Sequence, residues 1–133
     1  MKKIYLILIL ASFLLISGCS NWNEKTDQNL NNDKAGDYVV EIASSGFSPD
    51  TLTINLGETV AFINKDSKAS WPASALHPTH NVYPEKGGCI GSLFDVCRGL
   101  EQGQSWSFTF NEKGTWGYHD HLNPSLRGKI IVQ

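Results

Sequence analysis

From residue 37 onward, apolar and polar positions alternate in short runs. Leu52, Ile54 and Leu56 alternate with Thr51, Thr53 and Asn55; Val60 and Phe62 follow Gly57-Glu58; Trp106, Phe108 and Phe110 alternate with Ser105, Ser107 and Thr109. Successive side chains of a strand point to opposite faces, so a period of two bounded by Gly, Pro, Asn and Asp marks half-buried strands. No ten-residue stretch beyond residue 36 carries a helical period. The pattern predicts an all-β domain over residues 37–133, an antiparallel Greek-key β-sandwich of about seven or eight short strands.

The rhythm stops between Asn64 and Gly103. About forty residues rich in turn formers intervene there, including Pro72, Pro78, Pro84, Cys89 and Cys97, and a connection of that length is functional or independently braced. His77 and His80 lie in the middle of it.

A different pattern occupies the start of the chain. Lys2 and Lys3 precede an unbroken apolar run from Ile4 to Ile16, followed by Ser17, Gly18 and Cys19. A basic segment, an apolar segment and small residues at the cut site describe a secretory signal over residues 1–18, and the run is too short to span a bilayer. Ile16-Ser17-Gly18-Cys19 resembles the lipobox of bacterial-type lipoproteins, which implies lipidation at Cys19. Residues 19–36 are dominated by Asn, Asp, Lys and Gln and read as a flexible tether between lipid and domain. The expected location is therefore the extracytoplasmic face of a cell membrane, held by a lipid anchor.

Charge narrows the partners. Removing Lys2 and Lys3 with the signal leaves 9 Lys and Arg against 13 Asp and Glu, and no element concentrates the basic residues. A nucleic-acid partner, which needs clustered cations to meet phosphate, is excluded as a reading. Export also bears on the cysteines: with Cys19 lipidated, Cys89 and Cys97 remain, and in an oxidising compartment two leftover thiols pair. The alternative reading makes one of them a metal thiolate.

All four histidines fall in two tight pairs, His77-Pro78-Thr79-His80 and His119-Asp120-His121. Imidazole is the commonest protein ligand for copper, zinc and nickel, and two histidines flanking one residue of a strand project to the same side. Other chemistries are poorly served. Gly103-Gln104-Ser105-Trp106-Ser107 begins like a nucleophile elbow but lacks its closing Gly, and there is neither a His-Glu-x-x-His helix nor a phosphate-cradling glycine loop.

Gly46-Phe47-Ser48-Pro49, then Leu52-Thr53-Ile54 and Gly57-Glu58-Thr59-Val60-Ala61-Phe62-Ile63-Asn64, together with the run from Tyr118 to Val132, resemble a cupredoxin, the plastocyanin- and azurin-like copper domain. The resemblance implies a single copper-binding β-sandwich with a role in electron transfer. Blue copper proteins close with a Cys, a His and usually a Met before the final Gly. Aligned without gaps back from Leu126-Arg127-Gly128, this chain has Asp120, Asn123 and Leu126 at those positions, which implies that the blue-copper Cys is missing.

The histidine pairs are more similar to those of multicopper oxidases, built from the same domain, which carry His-Pro-x-His in a loop and His-x-His on a strand. That likeness implies that His119 and His121 meet His80 around copper, with Asp120 on the opposite side as a possible ligand or supporting residue. His80-Asn81-Val82 also resembles the ordinary cupredoxin ligand loop, in which case His77 is the additional histidine. The expected function is an exported copper-binding domain holding one ion through His77, His80, His119 and His121, for redox transfer or copper delivery to a protein partner. Two alternatives stay open: an electron carrier with an unusual ligand set, and a zinc-bound or metal-free interaction domain. A three-histidine site can also leave a coordination position open to a small oxidant.

Overall fold

The computed structural model describes residues 36–133. The signal over residues 1–18, Cys19 and all but the last residue of the tether lie outside the described residues. Within them the chain forms eight strands: β1 (Tyr38–Ala43), β2 (Gly46–Ser48), β3 (Thr51–Ile54), β4 (Thr59–Asn64), β5 (Pro72–Ser74), β6 (Ser105–Thr109), β7 (Gly114–Asp120) and β8 (Asn123–Val132). They make two four-stranded sheets, ordered β2-β1-β4-β6 and β3-β8-β7-β5. No helix occurs among the described residues.

The all-β sandwich agrees with the sequence pattern, but its sheets are mixed rather than antiparallel. β1 pairs with β4 in parallel, and β3 pairs with β8 in parallel. The reason is the path of the chain, which changes sheet at five of its seven connections: β1 and β4, and β3 and β8, are neighbours that no hairpin joins, so no tight turn forces them into opposite directions. Alternation within a strand cannot report that.

Between the sheets lies a core of Val40, Ile42, Ile54, Val60, Phe62, Phe110, Tyr118 and Ile130, all buried. The β4 sequence Thr-Val-Ala-Phe-Ile-Asn is β-branched and aromatic, as a strand paired on both edges requires. Phe62 meets Tyr118 edge-on, with ring centroids 5.3 Å apart, and so joins the two sheets directly.

The long connection is braced from inside. Tyr83 and Phe94 are fully buried in the aromatic core, and Leu100 is buried beside it. The Ser74 N–H donates to the Phe94 carbonyl at 2.8 Å, and Ala73 bridges Asp95, so the segment around Phe94 lengthens the β5 edge. Asn64 Nδ2 donates to the carbonyls of Lys68 and Leu100, closing the base of the connection. Cys89 and Cys97 form a disulfide within it. The connection also holds β5, a strand too short to be read from alternation, with Pro72 at its first position, where no ladder N–H is needed.

Candidate metal centre

β7 divides two environments. Tyr118 enters the core, so its neighbour His119 faces the other side of the sheet. His119 lies opposite Ala73 of β5 on one side and Arg127 of β8 on the other. Ala73 in turn bridges Asp95. Residues opposite one another share a face, so Arg127, His119, Ala73 and Asp95 form one row across the sheet, turned away from the core.

His80 and His77 reach this row from the loop after β5. The His80 N–H donates to the Leu76 carbonyl at 2.8 Å, closing a turn, and His80 has φ of 48°, a left-handed conformation uncommon for a residue with a Cβ. A Cβ on Gly91 would overlap the Thr79 carbonyl oxygen and crowd the His80 carbonyl. Only glycine lets the 87–93 segment close over the His80 backbone. His121 follows β7, and its N–H donates to the Trp71 carbonyl at 2.8 Å.

The four imidazoles converge. One nitrogen from each of His77, His80, His119 and His121 lies within 4.8 Å of all the others. His80 Nε2 and His121 Nδ1 are 2.9 Å apart, so both can reach one ion at a metal–imidazole distance of about 2.0–2.1 Å. His77 is exposed, His121 half-buried, and His80 and His119 fully enclosed at 0% and 3% exposure.

His80 is fixed by a neighbour. Its Nδ1 lies 2.6 Å from Asp95 Oδ2, and both side chains are completely buried. A carboxylate oxygen accepts, so Nδ1 carries the hydrogen and Nε2 keeps its lone pair toward the other histidines. Asp95 Oδ1 accepts from Trp71 Nε1 at 2.6 Å and from the Cys97 N–H at 2.8 Å. Trp71 also lies against His121, with ring centroids 4.4 Å apart. One carboxylate thereby connects the disulfide, an indole and a histidine.

His119 has no such partner. Both its ring nitrogens are buried without a hydrogen bond among the described residues, although an unpaired buried polar group costs about 1–3 kcal/mol. Burial first, then the neighbouring His80, His77 and His121, push its pKa down to about 4. Burial, then His80 and His77, lower that of His121 as well. Neutral imidazoles with lone pairs facing a common point are the form in which histidine binds a metal, so this donor set fits a copper ion.

Asp120 lies outside the cluster. Buried at 3% exposure, its Oδ1 accepts from the backbone N–H groups of Trp71 and Leu122, each at 2.9 Å, and so holds the turn that carries His121. Cys89 and Cys97 are bonded to each other. Sequence reasoning did not find Asp95 or Trp71. The available signal was an acid inside the apolar run Leu93-Phe94-Asp95-Val96, where a charge needs a buried partner.

The model of the cupredoxin-like domain family matches residues 6–132. Amicyanin from Paracoccus denitrificans is 31% identical over 98 residues, 74% of this chain and 66% of its own length. Amicyanin from Paracoccus versutus is 34% identical over 97 residues, 71% of this chain and 64% of its own length. The chain thus spans slightly less than two-thirds of these curated relatives. A solved purple cupredoxin from Nitrosopumilus maritimus superposes with a TM-score of 0.59 at 23% identity, over 73% of this chain and 100% of that one. A Cu(I) structure of an amicyanin mutant gives 0.58 at 26% identity, over 72% and 81% of the two chains. On the match across nearly its whole length and on the mixed-sheet sandwich that the structure displays, the chain belongs to the cupredoxin-like domain family.

Proposed function

We propose that this chain is an exported lipoprotein, anchored through Cys19, that holds one copper ion with His80, His119 and His121 and with His77 as fourth ligand, and that it transfers electrons with a protein partner at the cell surface. The observation that carries the metal reading is His119: two buried nitrogens without partners, enclosed by three further imidazoles. Copper is the metal by family, and the Cu(I) amicyanin relative supports it. Both remaining cysteines are joined in a disulfide, so the proposed site uses no thiolate and is not a blue-copper site.

Copper bound here would supply a one-electron couple. The chain's own residues favour redox transfer over delivery. His119 sits on a paired strand, and His80 is locked by Asp95, which leaves little freedom for the donors to rearrange. His77, exposed at the rim, gives a partner access to the site.

Electron paramagnetic resonance of the copper-loaded full chain tests the ligand set. A type 2 signal with normal splitting and weak visible absorption is expected, and an intense thiolate charge-transfer band would overturn it. Isothermal titration is expected to show a sharp loss of copper affinity in His119→Ala and His121→Ala, and a small one in Asp120→Ala. Unchanged affinity in both histidine variants would end the metal reading; strong zinc binding that copper cannot displace would favour a zinc interaction domain. For the anchor, Cys19→Ser is expected to move the exported protein from the membrane fraction to the soluble one.

A further inference from the structure

Beside the four histidines lies a cavity of about 190 Å³. It is lined by His77, His119 and Arg127, and its other lining residues include Leu76, Gly117, Tyr118 and Pro124. Among the described residues no Asp or Glu lines it. Arg127 is held on this side by the sheet register, directly across from His119. Its Nε donates to the Pro124 carbonyl at 3.1 Å, and among the described residues it makes no ion pair. The guanidinium therefore brings a positive charge without an ion-pair partner to a cavity whose other polar side chains are His77 and His119 of the proposed metal site and Tyr118, whose hydroxyl is buried without a hydrogen bond among the described residues.

The geometry points to a binding subsite for a small inorganic anion, held by Arg127 beside His77 and His119 next to the metal. This inference rests on the metal reading and adds the ligand class to it. Size sets the upper limit, because organic ligands fill pockets of roughly 300–1,000 Å³, whereas this cavity suits an ion of a few heavy atoms. Charge sets the sign: guanidinium offers several donors in a planar fork, and among the described residues no carboxylate lines the cavity to compete for them. Gly117 keeps the space open. It lies two residues before His119 on the same face of β7, and a Cβ there would meet only the Ala75 Cβ, at an ordinary 3.7 Å.

The test uses the full chain and azide as probe. Copper affinity is measured first by isothermal titration for wild type, Arg127→Gln, Arg127→Lys and Gly117→Val, and all four are expected to agree within about twofold, since none of these residues is a ligand. Azide is then titrated at constant ionic strength, read from the paramagnetic resonance spectrum and the azide-to-copper absorption. Arg127→Gln is expected to weaken azide binding roughly tenfold or more, the loss of one hydrogen-bonded charge. Arg127→Lys should restore part of it, and Gly117→Val, which fills the cavity, should abolish it. Equal azide affinity in wild type and Arg127→Gln overturns the subsite while leaving the metal reading intact. Failure of the wild-type chain to bind copper in the first titration overturns both. Arg127 is exposed, so its variants keep the test decisive even where Gly117→Val does not fold.

Discussion

Asp95→Asn is the most informative single change, because it preserves volume while removing the charge and replacing one acceptor oxygen with a donor NH₂. The native carboxylate serves three donors: His80 Nδ1 at 2.6 Å, Trp71 Nε1 at 2.6 Å and the Cys97 N–H at 2.8 Å. An amide has one oxygen, so it cannot satisfy both sides. With that oxygen toward Trp71 and Cys97, the NH₂ faces His80, and Nδ1 must become the acceptor. The ring hydrogen then moves to Nε2, the nitrogen 2.9 Å from His121 Nδ1, and the lone pair that faced the metal is lost. With the amide reversed, two buried donors oppose the NH₂ instead.

The first arrangement leaves fewer donors unpaired, so the cost falls mainly on metal binding. Loss of a hydrogen-bonding partner behind a ligand histidine typically costs 10–100-fold in affinity, or about 1.4–2.7 kcal/mol. Apo stability also falls, by about 2–4 kcal/mol, toward the range for breaking a fully buried pair. Isothermal titration with copper and urea unfolding of the metal-free chain measure the two quantities separately. A destabilised Asp95→Asn protein that still binds copper with wild-type affinity would show that Asp95 braces the loop without orienting His80.

Three further outcomes follow from the same geometry. Because folding lowers the His119 pKa from an unfolded value near 6.5 to about 4, the unfolded chain takes up a proton that the folded one refuses; apo stability should be complete above pH 6.5 and fall by about 2–3 kcal/mol as the pH drops toward 4. Urea unfolding of His119→Asn should show that slope reduced, and an undiminished slope would assign it elsewhere. Gly91→Ala should cost about 1–3 kcal/mol and weaken copper binding, since its Cβ would press on Thr79 and His80; thermal unfolding and titration with no change in either would refute the close approach. Reducing the Cys89–Cys97 bond, which closes a loop of sequence separation 8, should cost about 2–3 kcal/mol and lower copper affinity through Asp95; a stability loss with unchanged affinity would uncouple the disulfide from the site.

How much of this was legible in the sequence differs by feature. Strands β3, β4 and β6 announce themselves, because alternation of Leu52 and Ile54, or of Trp106 and Phe108, records which side meets the core. The mixed sheets do not, because alternation says nothing of strand direction. The four histidines were legible as a set, since pairing in sequence is a strong sign of shared chemistry. Their supports were not: Asp95 is 15 residues from His80, and Trp71 is 49 residues from Asp120. Those contacts exist only after the long connection has buried Tyr83 and Phe94, and no local pattern encodes where a loop returns.

The position of the site follows from a single register. Ser74, Tyr118 and Gly128 lie in one cross-strand row, and Ala73, His119 and Arg127 lie in the next. Tyr118 of the first row is committed to the core, where it meets Phe47 at 4.7 Å and Phe62 at 5.3 Å. Gly128 is small for a related reason: a Cβ there would collide with the Tyr118 ring. With that row fixed inward, the adjacent one must face out, and a slip of one residue would drive His119 and Arg127 into the hydrophobic interior. Burial of Tyr118 thus determines the direction of His119, the irregularity between His119 and Asp120 then shifts the register so that Asp120 pairs with Asn123, and His121, beyond β7, is set by its bond to Trp71. The core and the site are therefore alternate rows of one sheet, and packing energy spent on the first row positions the donors of the second.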